Sequence, residues 1–303
     1  MFPLISAGLP AAVAVVAAVT WGSGGGVHAG LGLLFGMVVG FSLGLTGGGG
    51  SIFAVPLLVY GLAVRTREAI GVSLAAVGAT ALSGALRRLA RGEVEVATGL
   101  IFAAAGMLGA PVGAWIGGRV PEKVLLVLFA ALMVLVAVRM WVQATRRPDE
   151  ARAVRASVGP IPAGERGPSC RRDPEGRLHL TSRCFAILIV TGLASGVLSG
   201  LFGVGGGFVI VPALVLVTGM GIHRAVATSL LVIAMVGASG VASSLAAGRP
   251  VPLALTALFV AGGLAGMELG TLTGRRLGGP GLQTLFASAM VAVAAFIVAK
   301  SVL

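Results

Sequence analysis

Two glycine clusters, GGGGS at 47–51 and GVGGG at 203–207, sit inside the most apolar stretches of the chain. Consecutive glycines are poor helix material, each costing about 1 kcal/mol relative to alanine. In lipid, irregular backbone persists only where it is buried in protein or lines a cavity. A short apolar run follows each cluster. The unobstructed amides and positive dipole end of that run make an anion site that needs no charged side chain. The candidates are Gly48, Gly49 and Gly50 with the Ser51 hydroxyl, and Gly205, Gly206 and Gly207, where glycine stands in place of the serine. The same spacing also fits a tight turn between two packed helices. Pro56 and Pro212 fall in the second turn of each run, where they would bend it.

Ser73, Thr228 and Ser229 lie near the start of the helices that follow. Their hydroxyls suit donation to an anion, or bonding to carbonyls of the preceding turn. Glu268 is the one acid well inside an apolar run, VAGGLAGMELGTLTG. An intramembrane carboxylate suggests proton coupling; an ion pair with Arg275 or Arg276, or snorkelling to the helix end, is the structural alternative. Arg65, Arg67, His223 and Arg224 flank the short runs, as anion funnels or interfacial anchors. Cys170 and Cys184 show no CxxC and no histidine at metal spacing, so neither a disulfide framework nor a metal site is expected. No cofactor is implied. With only three histidines and no paired catalytic His, Cys and acid, an enzyme is not expected.

The elements that must hold these residues are membrane helices. The chain is 57% hydrophobic and 11% charged, with a mean hydropathy of +1.03; a soluble domain carries about 25% charge. Aromatics are 5% and alternating strands are absent, which argues against a barrel. The net charge of +12 does not signal nucleic acid, because nine of the 22 basic residues fall between Arg146 and Arg183. Basic residues in a loop of this kind mark the cytoplasmic side.

Apolar runs cover about 29–46, 51–64, 69–86, 94–118 and 123–142, then 185–202, 207–222, 225–247, 251–274 and 281–302. Residues 51–64 and 207–222 are too short to cross a ~30 Å core as helices. Residues 1–27 read as an N-terminal apolar helix and loop, in preference to a signal peptide that lacks a leading charge. Residues 144–182 read as an Arg/Pro-rich cytoplasmic linker too polar for lipid.

Residues 28–143 and 183–303 are two copies of one unit. At an offset of 156, Gly36, Gly40, Gly44, Gly47, Gly49, Gly50, Gly84 and Gly92 all fall on glycines, and Pro56 falls on Pro212 and Ser73 on Ser229. Eight matches exceed the ~2–3 that random placement gives, so the unit is duplicated. Glycine stripes at four-residue spacing (Gly32 to Gly44, Gly192 to Gly200, Gly109 to Gly117, Gly262 to Gly274) predict close helix packing. The fold class is all-α: a polytopic membrane bundle of two repeats with glycine-rich breaks. Five crossings per half, counting the short run, make the repeats inverted and four, with the short run re-entrant, make them parallel; flanking basic residues lean towards inverted, with an anion site between the repeats.

GLFGVGGGFVIVPALVLVTGMGIHRAVATSLL and GLTGGGGSIFAVPLLVYGLAVRTREAIGVSLA resemble the paired motif of the sulfite exporter TauE/SafE family, the TSUP anion permeases. The likeness covers about 29–142 and 184–302. The first copy departs from it, AIGVS replacing AVATS, so Thr228 has Val72 as its counterpart. The resemblance implies a multi-pass permease of the bacterial inner membrane for a small anion, a sulfur oxyanion, sulfonate or related organic acid. Its partners would be that anion and the lipid bilayer. Alternating access between the repeats is the expected mechanism; an uncoupled anion channel is the alternative.

Overall fold

A computed structural model describes residues 26–146, 171–172, 178–179, 182–274 and 280–302. The N-terminal apolar segment and most of the linker, expected as a helix and a flexible loop, lie outside the described residues. Ten helices follow in order: α1 Gly26–Thr46, α2 Gly49–Gly61, α3 Thr66–Ala90, α4 Val96–Arg119, α5 Glu122–Arg146, α6 Ser182–Phe202, α7 Gly207–Thr218, α8 Ile222–Ala246, α9 Leu253–Gly274 and α10 Pro280–Val302. Between α5 and α6, Arg171–Arg172 pairs antiparallel with Leu178–His179.

An apolar chain in lipid must satisfy its backbone internally, which selects helices. Six of them (α1, α3, α4, α6, α8 and α9) are long and apolar enough to cross a membrane. Leu108, Trp115, Leu135, Val190 and Leu272 are exposed on the outside of the bundle, as a lipid-facing surface requires. Gly92 and Gly248 close α3 and α8 with left-handed backbone, φ 68° and 67°. The chain then turns back: Glu93 N–H donates to the Arg88 carbonyl, and Arg249 N–H to that of Ser244.

The glycine stripes pair across the chain. Gly36, Gly40 and Gly44 of α1 face Phe259, Gly263 and Met267 of α9. Gly192, Gly196 and Gly200 of α6 face Phe102, Gly106 and Ala110 of α4. At most of these glycines an added Cβ would overlap a backbone carbonyl of the neighbour, so the helices touch main chain to main chain. This is the packing role expected from the sequence.

The order of these contacts fixes directions. Both pairs advance together along the chain, so α1 runs parallel to α9, and α6 to α4. Helix α3 also runs parallel to α9, Thr80 meeting Gly263 and Gly84 meeting Met267. Helix α3 runs antiparallel to α8, Leu74 meeting Gly240, Gly78 meeting Gly237 and Gly84 meeting Leu230. Helix α8 runs parallel to α4, with Thr228 against Gly99 and Val236 against Gly106. Helices α1, α3 and α9 therefore point one way, and α4, α6 and α8 the other.

Cys184 is buried at the start of α6 and is disulfide-bonded, a link the sequence reading did not include; Cys170 lies outside the described residues. Such bonds persist on an oxidising face of the membrane.

Candidate anion site between two half-helices

Helix α1 ends at Thr46 because the glycine cluster cannot continue it. Gly47 has φ 70° and Gly48 φ 152°, a region closed to most side chains. Chain direction reverses, and α2 runs back beside α1 until Gly61 lies against Phe35. In the second copy, Gly203, Gly205 and Gly206 have φ of 72°, 70° and 70°, and α7 begins at Gly207. Helix α7 has 12 residues. At ~1.5 Å per residue, both short helices reach only ~18–20 Å, well under a ~30 Å core.

The two breaks meet. A Cβ on Gly48 would lie 2.8 Å from the Gly207 Cα, and a Cβ on Gly207 would lie 2.5 Å from the Gly48 Cα. Gly205 sits between Val77 and Ile233, close to the crossing of α3 and α8 at Gly78 and Gly237. Helix α2 leads to the start of α3 and α7 to the start of α8. Because α3 and α8 are antiparallel, the two half-helices run from a shared midpoint to opposite faces, with their N-termini together.

Backbone hydrogen bonds around the breaks are only partly used. Gly47 N–H donates to the Leu43 carbonyl and Gly203 N–H to the Ser199 carbonyl, both at 2.8 Å. Gly50 N–H donates to Thr46 Oγ1 at 3.1 Å. Among the described residues, the amides of Gly48, Gly205, Gly206 and Gly207 donate to no protein acceptor. Ser51 does not face outward from its break: its hydroxyl donates to the Gly48 carbonyl at 2.8 Å.

Ser73 and Ser229 bond neither their own turn alone nor open space. Ser73 Oγ donates to the Gly203 carbonyl at 2.6 Å, and Ser229 Oγ lies 2.7 Å from the Gly47 carbonyl and 2.9 Å from that of Val226. Each serine thus ties the opposite copy's glycine break to its helix. Thr228 stands apart, turned towards α4, where its Oγ1 accepts from Glu95 N–H at 3.0 Å. Removing either serine hydroxyl leaves a buried carbonyl without that donor, so Ser73→Ala and Ser229→Ala are each expected to cost about 1 kcal/mol. The two bonds share no partner, so the double variant is expected to cost about 2 kcal/mol. Thermal unfolding of the purified single and double variants measures this.

The prolines act differently in the two half-helices. Pro56, which offers no N–H, ends the α-helical turn of α2, and Leu57–Gly61 continues in wider π winding. Helix α7 keeps α winding through Pro212. Glu268 pairs with Arg87 of α3; Arg275 and Arg276, the partners expected along α9, lie outside the described residues. The partner comes from another helix, which sequence spacing along α9 does not reveal. Arg65 and Arg67 are exposed at the start of α3, and His223 and Arg224 at the start of α8, on opposite faces. Near Arg67, the Arg249 guanidinium donates to the Ala114 carbonyl at 2.9 Å. Burial, and then the charge of Arg67, lowers its pKa from the ordinary arginine value.

Two buried hydroxyls beside the second break escaped the sequence reading. Ser195 and Ser199 lie one turn apart on α6, 2% and 0% exposed, and neither Oγ has a hydrogen-bond partner. Serines in apolar helices are common, and neither has a hydroxyl counterpart 156 residues earlier, so no pattern drew them out.

Membrane-crossing helices combined with two half-helices that meet N-terminus to N-terminus make a multi-pass membrane transporter. The chain belongs to the sulfite exporter TauE/SafE family, whose model matches residues 31–297. It is 35% identical over 288 residues to a probable membrane transporter protein of Xylella fastidiosa (strain 9a5c), covering 93% of this chain and 95% of that one. It is 29% identical over 252 residues to the probable membrane transporter protein YunE of Bacillus subtilis (strain 168), covering 81% and 88%. The family and these relatives are transporters rather than enzymes. No solved structure gives a significant match.

Proposed function

We propose that the protein is a secondary transporter for a small anion, a sulfur oxyanion such as sulfite, a sulfonate or a related organic acid, in the bacterial inner membrane. The anion sits between Gly48, Gly49 and Gly50 of one break and Gly205, Gly206 and Gly207 of the other. Ser73 and Ser229 hold those breaks in place, and Ser51 borders the site. The observation that carries this reading is the meeting of Gly48 with Gly207. It joins two helix N-termini whose dipoles and unused amides favour negative charge. Two repeats of inverted orientation provide the moving parts. Support comes from the glycine correspondence in sequence and from the opposite directions of the matching helices α1 and α6, α3 and α8, and α4 and α9. Rocking one repeat against the other exposes the site to each face in turn.

The test is transport by the purified protein in liposomes. Sulfite, or another member of that class, is expected to accumulate against its gradient when a proton gradient is imposed, and to raise the unfolding temperature in detergent. Flux without accumulation assigns an uncoupled channel instead. Neither flux nor thermal shift with sulfite, sulfonates, sulfate and small carboxylates overturns the anion site. Because Glu268 pairs with Arg87, Glu268→Gln is expected to leave the pH profile of flux unchanged. A flattened profile assigns the coupled proton to that carboxylate.

A further inference from the structure

We propose that Ser195 and Ser199 are substrate-binding residues, hydroxyl donors that make the second glycine break the tighter half of the anion site; this rests on the anion-site reading above. Three observations converge on them. First, both oxygens are enclosed and unpartnered. A buried hydroxyl without a hydrogen bond is costly, and a serine on a helix has a ready remedy in the carbonyl one turn back. Thr191, Thr218 and Ser244 take that remedy, bonding the carbonyls of Ile187, Leu214 and Gly240. Ser195 and Ser199 do not.

Second, Ser195 points at the break. Its Oγ lies 2.8 Å from where a Cβ on Gly206 would stand, beside the unused amides of Gly205, Gly206 and Gly207. Ser199 shares that helix face, and its carbonyl accepts from Gly203 N–H at the start of the break. Residues four apart on a helix carry Cβ atoms ~5–6 Å from each other, so one small oxyanion between them accepts from both.

Third, packing does not demand a hydroxyl here. At the matching places in the first copy stand Val39 and Leu43, 3% and 1% exposed. They pack with Gly36, Ala76, Val77, Thr80 and Phe259, leaving no room for a water. The fold therefore accepts aliphatic side chains at these positions. In the first copy Thr46 and Ser51 spend their hydroxyls on the carbonyls of Ser42 and Gly48, while Ser42 itself, 5% exposed, lies against Gly50. Two unpartnered hydroxyls lie on the α6 side, where the matching places on α1 are aliphatic. That asymmetry suits an anion with oxygens at one end and a lone pair or organic group at the other, such as sulfite or a sulfonate.

The test compares Ser195→Ala, Ser199→Ala, the double variant and Gly207→Ala as full-length protein in detergent, titrated with sulfite by thermal shift. Each serine variant is expected to weaken sulfite binding about tenfold or more, since hydrogen bonds to charged groups are the strong ones. The double variant is expected to lose about a hundredfold. Without ligand, the serine variants are expected to unfold at the wild-type temperature or above, because an unpartnered hydroxyl has been removed. Ser195→Cys, which keeps the volume with a weaker donor, is expected to fall between. Wild-type affinity in the double variant, with binding lost in Gly207→Ala, overturns the hydroxyl role and leaves the anion site standing. Wild-type affinity in all four overturns both. A lower unfolding temperature with unchanged affinity makes the serines structural and overturns the proposal.

Discussion

Gly40→Leu is expected to abolish the folded protein, and Gly40→Ala to destabilise it by about 3 kcal/mol, the upper end of the cost of overpacking. Gly40 stands mid-seam between α1 and α9, where a Cβ would overlap the carbonyl oxygen of Gly263, and the Cα and carbonyl carbon of that residue are also close. Backbone cannot rotate out of the way as a side chain can. The helices must separate, and separation takes Gly36 and Gly44 out of contact as well. Gly196 in the α4–α6 seam, against Gly106, predicts the same outcome. Gly30 supplies the control. It lies on the same helix with nothing within 4 Å of an added Cβ, so Gly30→Ala is expected to be neutral or to stabilise by up to ~1 kcal/mol. Thermal unfolding in detergent, with size-exclusion profiles, checks all three. Equal stability of Gly40→Ala and Gly30→Ala would overturn the seam's main-chain contact.

Much of this architecture was legible in the sequence because glycine has few reasons to recur in lipid. A four-residue stripe means close helices, and a cluster means a break; both readings hold. What the stripes did not disclose was their pairing. Helix α1 packs not on its counterpart α6 but on α9, the third long helix of the other half, and α6 packs on α4. That arrangement follows from contacts between distant parts of the chain, which spacing along one run cannot encode. The hydroxyls behaved likewise. Ser73 and Ser229 were singled out because they matched, yet their acceptors are the carbonyls of Gly203 and Gly47 across the bundle. Ser195 and Ser199 went unread because they do not match, Val39 and Leu43 standing in their places. Matching positions reveal the scaffold and conceal residues that stand at only one of two corresponding places. Glu268 was visible as an oddity along α9, but its partner Arg87 is on α3.

Gly207→Ala is expected to lower anion transport about a hundredfold while leaving a folded protein. Gly207 is the first residue of α7 and its backbone is helical, so alanine brings no left-handed strain there. Gly206, by contrast, has φ 70°, and a side chain at that position strains the backbone by ~1–2 kcal/mol and confounds function with folding. What the Gly207 methyl meets is the other break: the Cα of Gly48 at 2.5 Å, its carbonyl oxygen at 2.7 Å, and the Ile233 side chain at 2.7 Å. Ile233 can change rotamer, but Gly48 must move. A displacement of about 1 Å suffices to cost a preorganised site ~100-fold, whereas overpacking at one methyl costs ~1–3 kcal/mol of stability. That cost lowers the unfolding temperature of a chain this size by only several degrees. Counterflow of sulfite in liposomes reads the first quantity and thermal unfolding the second. Transport at the wild-type rate from a folded Gly207→Ala protein would mean that the meeting of the two breaks serves packing alone, because a close contact between the half-helix N-termini would have been opened without consequence.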